Sequence, residues 1–186
     1  GEMGPEELYL AGYSNYNQLY YTKASTQLTD VASGGGELGQ NAAFHLGDCY
    51  LKLGDKQKAL RAFVLASASD YSPEIKREAM LNAGKLQYEL GGGAFNEAIT
   101  TLAGYVQAYP DSPRIDEARE LLLAAYFNSR NYEAAYEAIK QVRDPDNNVK
   151  AAMQKIAYFR ALEQFQKEEY PEALRMFDVA DANRFN

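Results

Sequence analysis

The stretch Leu46-Gly47-Asp48-Cys49-Tyr50, followed by Ala59, Phe63 and Ala66, decides how the rest of the 186 residues are read. A Leu-Gly pair is followed three residues later by an aromatic, then, twelve residues after the glycine, by an alanine that leads over four residues to a phenylalanine. That second half recurs four times. Tyr21-Thr22-Lys23-Ala24 leads to Leu28, Phe95-Asn96-Glu97-Ala98 to Leu102, Tyr132-Glu133-Ala134-Ala135 to Ile139, and Tyr170-Pro171-Glu172-Ala173 to Phe177. The anchoring alanines Ala24, Ala59, Ala98, Ala135 and Ala173 are separated by 35, 39, 37 and 38 residues. A fixed offset of this size marks a repeat built from one supersecondary unit. The Leu-Gly position recurs as Ala11-Gly12, Ala83-Gly84, Leu122-Leu123 and Arg160-Ala161. Small residues such as Gly12, Gly47, Gly84 and the anchoring alanines let two helices approach closely, while Tyr50, Phe63, Tyr126 and Phe177 fill the gap to the next unit.

The pattern resembles the tetratricopeptide signature, whose period is about 34 residues. The resemblance implies an all-α fold, a right-handed superhelical solenoid of about five antiparallel helix pairs. The pairs are placed near 5–33, 40–71, 77–109, 115–142 and 151–183 in a single repeat domain, with residues 1–4 an artificial or disordered start. The excess over the family period falls in turn-rich stretches: Gly34-Gly35-Gly36, Gly91-Gly92-Gly93 and Asp144-Pro145-Asp146-Asn147-Asn148. Tyr71-Ser72-Pro73 and Tyr109-Pro110-Asp111-Ser112-Pro113 end second helices, because proline disfavours helix in the residue before it. Tyr109-Pro110-Asp111-Ser112-Pro113-Arg114 with Asp116-Glu117-Ala118 resembles repeat junctions of periplasmic tetratricopeptide proteins that serve outer-membrane assembly and the Tol–Pal machinery. Leu86 to Leu90 with Phe95 to Ala98 is similar to long repeat proteins of Bacteroidetes. These likenesses imply a Gram-negative periplasm or cell envelope, with the cytoplasm as the alternative.

Composition narrows the function. The chain is 46% hydrophobic and 24% charged, with a net charge of −7. Nucleic-acid binders show basic patches, and here Lys and Arg are scattered among acids. No apolar run approaches the ~20 residues of a membrane span, so no direct membrane insertion is expected. One cysteine, Cys49, forms no internal disulfide and reads as a buried, inert thiol.

Catalytic and metal motifs fail one by one, so no enzyme, cofactor or metal is expected. His45, the single histidine, lacks a nucleophile or a ligand set around it and reads as structural or partner-contacting. The glycine triplets lack the Lys-Ser or Lys-Thr of a phosphate loop. Asp144, Asp146 and Asn148 imitate the start of a calcium loop, but Val149 replaces its glycine and Lys155 its bidentate glutamate. Glu168-Glu169 and Asp116-Glu117 suit helix starts.

The 15 Tyr and 8 Phe are the anomaly. Transferring the family register places Tyr9, Tyr13, Tyr16, Phe44, Tyr88, Phe127, Tyr158 and Phe165 toward the groove, with Asn17, Asn41, His45, Asp48, Asn82, Lys85 and Glu120 between them. Tyrosine offers wide contact area with a polar tip and suits interfaces. The resemblance therefore implies an adaptor that binds a peptide segment or partner domain through Tyr9, Tyr13, Tyr16, Phe44, His45, Asn82, Lys85, Tyr88, Phe127 and Tyr158. A carboxylate-clamp receptor is not implied, because its Lys, Asn and Arg positions read Tyr9, Tyr13, His45, Glu78 and Asn82. The rival reading is an assembly component of an envelope complex that uses its convex face or an end, with a terminal repeat joining copies. The last helix supports the rival: Leu174, Met176, Phe177, Val179 and Phe185 exceed what one flank buries, so either chain beyond Asn186 or another molecule is expected against it.

Overall fold

The computed structural model describes residues 3–91, 95–140 and 147–184, without the side chain of Asn148. Gly1, Glu2, Gly92, Gly93, Asp144, Pro145, Asp146 and Phe185 therefore lie outside the described residues. Those described form ten helices and no strand: α1 Pro5–Asn17, α2 Tyr21–Ser33, α3 Gly36–Lys52, α4 Lys56–Ser67, α5 Pro73–Leu90, α6 Phe95–Ala108, α7 Ile115–Asn128, α8 Tyr132–Lys140, α9 Asn147–Gln166 and α10 Tyr170–Ala182. They gather into two compact units, Gly1–Ile115 and Asp116–Asn186.

Three first helices begin four residues before the expected pair boundaries, at Gly36, Pro73 and Asn147. At α5 the reason is visible. Ser72 accepts a hydrogen bond from the Ile75 backbone N–H, and Pro73 occupies the first turn, where its missing N–H costs nothing. The motif that ends one helix thus also starts the next. Asp55 caps α4 through the Lys58 N–H, and Asn131 caps α8 through the Ala134 N–H.

Unit 1 stacks α1 to α6, each packed on its successor from α1 through α6. Its anchoring alanines Ala24, Ala59 and Ala98 are fully buried. The glycines opposite Leu28, Phe63 and Leu102 are required by space. A Cβ at Gly12 would lie 2.8 Å from Leu28 Cγ, at Gly47 2.8 Å from Phe63 Cε1, and at Gly84 2.7 Å from Leu102 Cδ2. In unit 2, Ala135 and Ala173 are buried in the same way, and Leu123, Ala135, Ile139 and Ile156 join α7, α8 and α9 in one core.

The turn inside a pair is the same in both units. Leu19, Gly54, Arg130 and Glu168 all take positive φ, at 65°, 79°, 58° and 63°. After each, a backbone N–H reaches back five residues, as from Asp55 to the Tyr50 carbonyl and from Glu169 to the Gln164 carbonyl. This closes the helix end with a left-handed residue.

Gln40 closes the turn between α4 and α5. It is 2% exposed. Its Nε2 donates to the Ala66, Ser69 and Ser72 carbonyls at 3.0, 2.7 and 3.4 Å, and its Oε1 accepts from the Ser72 N–H at 2.7 Å. The α6–α7 turn has a different lock, the buried Tyr105 hydroxyl 2.7 Å from Ser112 Oγ.

Candidate partner-binding surface

The first helices α1 and α3 of unit 1 bring five of the expected residues together. Tyr9 and Tyr13 stack at 6.0 Å, and Tyr13 and Tyr16 at 6.2 Å. The spacing of four and three residues puts all three rings on one face of α1. His45 of α3 faces this row, 4.9 Å from Tyr13 and 5.1 Å from Tyr16, with Phe44 edge-on at 5.8 Å on its other side. Tyr13 is the outermost ring, 38% exposed.

A polar anchor holds the row in place. The Tyr16 hydroxyl donates to Asp48 Oδ2 at 2.7 Å, and burial together with this bond raises the phenol well above its ordinary range. Burial pushes His45 below its ordinary value, and Asp48 pulls it partly back. His45 Nδ1 is buried without a hydrogen-bond partner, which suits a neutral imidazole. Cys49 lies fully buried behind the cluster, its thiol pushed up to about 11 by burial, with Asp48 adding to the shift.

The other expected residues sit elsewhere. Phe44 also leans edge-on against the buried Phe63 at 5.7 Å, so it joins the surface to the core. Asn82, Lys85 and Tyr88 are half-buried on α5, with Tyr88 5.9 Å from Phe95. Phe127 belongs to unit 2, edge-on to Tyr132 and Phe159 at 5.7 and 5.4 Å and against the unit's core. Tyr158 lies at the α9–α10 end of unit 2, 5.9 Å from Phe177. Glu78 is not a free acid: Arg77 Nε reaches it at 3.2 Å and Arg114 Nη1 at 2.9 Å. The residue that sequence reading missed is Gln40, whose signal was a long polar side chain seven positions before Gly47, on the buried face of its helix.

A tetratricopeptide-repeat family model matches residues 41–63 and 78–112, which run from α3 into α4 and through α5 and α6. A solved tetratricopeptide-repeat protein from Bacteroides fragilis superposes with a TM-score of 0.62 at 16% identity, over 98% of this chain and 89% of that one. The fold is the tetratricopeptide-repeat solenoid. Structures of MamA from AMB-1 and MSR-1 are similar too, at TM-scores of 0.59 and 0.54 and identities of 20% and 22%. The first covers 96% of this chain and 90% of that one, the second 92% and 91%. No protein of curated function matches the sequence. The tetratricopeptide match and fold support a protein–protein interaction scaffold. Among the described residues no helix is long and apolar enough to cross a membrane, and no group of three His, Cys, Asp or Glu is placed to hold a metal.

Proposed function

We propose that the chain is a scaffold that captures a peptide segment or partner domain on the tyrosine face of α1 and α3. The observation that carries this reading is the row Tyr9, Tyr13, Tyr16 fixed over His45 by the Tyr16–Asp48 bond. Rings held in advance lose little entropy on binding, and their hydroxyls tolerate both water and a partner. Tyr9 and Tyr16 also lean on the unit 1 core, which leaves Tyr13 as the most exposed ring of the row. The likeness of residues 109–118 to envelope repeat proteins is the ground for placing this scaffold in a Gram-negative periplasm; cell fractionation tests that placement.

The binding reading is tested by Tyr9→Ala with Tyr13→Ala. Tyr13 is exposed and Tyr9 only leans on the core, so the helical signal should hold and the melting temperature should fall only modestly. Truncated aromatic anchors often cost about 2 kcal/mol each, roughly thirty-fold in affinity. Partners cross-linked to the wild-type protein should therefore be lost. Unchanged capture by the folded double variant removes this face from the function.

A further inference from the structure

The tyrosine row stands on a helix without a single base. Helix α1 carries Glu6 and Glu7 and no Lys or Arg. Glu6 lies three residues before Tyr9 and seven before Tyr13, spacings that put its exposed carboxylate on the side of α1 that bears the row. From α3, the half-buried Asp48 faces the same row, its Oδ2 accepting from the Tyr16 hydroxyl at 2.7 Å. Neither Glu6 nor Asp48 joins an ion pair among the described residues.

Other tyrosines and acids of the fold are treated differently. Lys58 Nζ lies 5.4 Å over the Tyr50 ring, while Arg160 and Lys140 lie 4.9 and 5.3 Å over Tyr136. The negative face of each ring attracts the charge above it. On α5, Glu78 is bridged by Arg77 and Arg114, and Glu89 meets Lys56 at 3.0 Å. Among the described residues no Lys or Arg lies over Tyr9, Tyr13 or Tyr16. The row therefore combines bare ring faces, of which Tyr13 is the most exposed, with carboxylates that have no counter-charge.

We infer that the tyrosine face takes a basic peptide segment, with an arginine guanidinium flat on Tyr13 and its N–H groups turned to the Asp48 carboxylate. This inference rests on the scaffold reading of the face and names the chemistry of its partner. Tyr16 sets the spacing: its ring lies 6.2 Å from Tyr13, and its hydroxyl occupies Asp48 Oδ2, which leaves the second carboxylate oxygen for the guanidinium. Arginine suits the place better than lysine, because a planar guanidinium stacks on a ring and donates in its own plane at the same time. Glu6 attracts a second base at the other end of the row. An acidic segment meets repulsion from the same carboxylates. An apolar one covers Asp48 without pairing its charge, which is costly. The net charge of −7 adds long-range attraction for a basic partner.

The probe is a short peptide of Gly, Ser and Leu bearing three arginines, titrated into the full nitrogen-15-labelled chain. Three sister peptides carry lysine, citrulline or glutamate in place of arginine. Saturable one-to-one binding of the arginine peptide is expected, with amide shifts confined to α1 and α3. The lysine peptide should bind more weakly, and the neutral citrulline peptide at least about tenfold more weakly, since it lacks both the cation over the ring and the charge-assisted bond. Asp48→Asn keeps an oxygen for the Tyr16 hydroxyl, and Tyr13→Leu keeps apolar area without the ring face. Each should weaken the arginine peptide at least about fivefold at unchanged helical signal, whereas Tyr13→Phe should retain binding. Absence of saturable binding overturns the proposal. So does a citrulline or glutamate peptide that binds as well as the arginine one, or arginine binding indifferent to both Asp48→Asn and Tyr13→Leu. Cross-linked partners separate this failure from that of the scaffold reading. If Tyr9→Ala with Tyr13→Ala loses them while Asp48→Asn keeps them and the arginine peptide does not displace them, the scaffold reading stands and the arginine site falls. Partners kept by the double variant overturn the scaffold reading and this proposal with it.

Discussion

Unit 1 and unit 2 repeat one design with different side chains at its tightest point. In unit 1 the first helices place Gly12, Gly47 and Gly84 against Leu28, Phe63 and Leu102, and any Cβ would collide with them. In unit 2 the same register positions hold Leu123 and Ala161, with Ile139 and Phe177 sixteen residues on. Leu123 and Ile139 share a core with Ile156. Unit 2 thus fills these register positions with bulkier pairs, and the closest approach is a property of unit 1. The family model matches only segments of unit 1, where the glycines stand. The two units also differ in what their glutamines do: Gln40 is buried with four hydrogen bonds, while Gln154 lines an open cavity.

Substituting that glutamine pair tests the contrast most strongly. Gln40→Leu strands the Ser72 N–H and takes the Gln40 donor from the Ala66 and Ser69 carbonyls, while the Ser72 carbonyl keeps its bond from the Lys76 N–H, and each buried polar group left unpaired costs about 1–3 kcal/mol. A loss of about 3 kcal/mol is expected in chemical denaturation, against less than about 0.5 kcal/mol for Gln154→Leu, a surface-like change. Equal losses would mean that both glutamines serve the fold alike.

The small-residue contact comes next. Gly47→Ala forces a methyl to within 2.8 Å of the Phe63 ring, which has no freedom to retreat. Overpacking costs about 1–3 kcal/mol, and the better helix propensity of alanine returns about 1 kcal/mol. A net loss of about 1 kcal/mol or more is expected. Ala161→Gly, the reverse change in unit 2, removes a buried methyl as well as helix propensity and should lose about 1–2 kcal/mol. A stabilised Gly47→Ala variant would break the close-approach account.

His45 supplies a pH-dependent difference confined to unit 1. Its folded-state pKa lies below the ordinary value near 6.5, mainly through burial. As pH falls through the unfolded value, the unfolded chain takes up a proton that the folded chain resists, so stability declines below about pH 6.5 and is unaffected above it. Thermal melts between pH 7.5 and 5.5 should show this decline, and His45→Phe should flatten it. A slope that survives the substitution points to another group.

The smallest effect lies in the turns. Glu168 adopts a left-handed conformation that costs a side-chain-bearing residue about 1–2 kcal/mol, partly offset by the greater unfolded freedom of glycine. Glu168→Gly should therefore raise stability by about 0.5 kcal/mol, making its turn like that at Gly54.

Much of this was legible in the sequence. The alanine anchors and the Leu-Gly positions gave the helix pairs, because size at a close contact leaves a periodic trace. The three left-handed residues Leu19, Arg130 and Glu168 left none, since no glycine marks them; only the register shared with Gly54 does. Ser72-Pro73 was read as a stop and is also a start, because a cap and a breaker use the same residues. At the tyrosine face, the i, i+4 and i, i+3 spacing of Tyr9, Tyr13 and Tyr16 was readable. The Tyr16–Asp48 bond spans two repeats and appears only once they are stacked. Phe44 shows the limit of transferring a register: one ring serves the surface and the core at once.

Cys49 gives unit 1 a built-in clock. It is the single thiol of the chain, wholly enclosed on α3 behind Tyr16 and Asp48, and held protonated at neutral pH. An alkylating reagent therefore reacts only when the helices around it part. The rate of labelling under native conditions reports how often the first repeats breathe, and the ratio to the rate in denaturant converts that frequency into a local opening free energy. No engineered probe is needed, and the measurement follows the very layer that carries the tyrosine face.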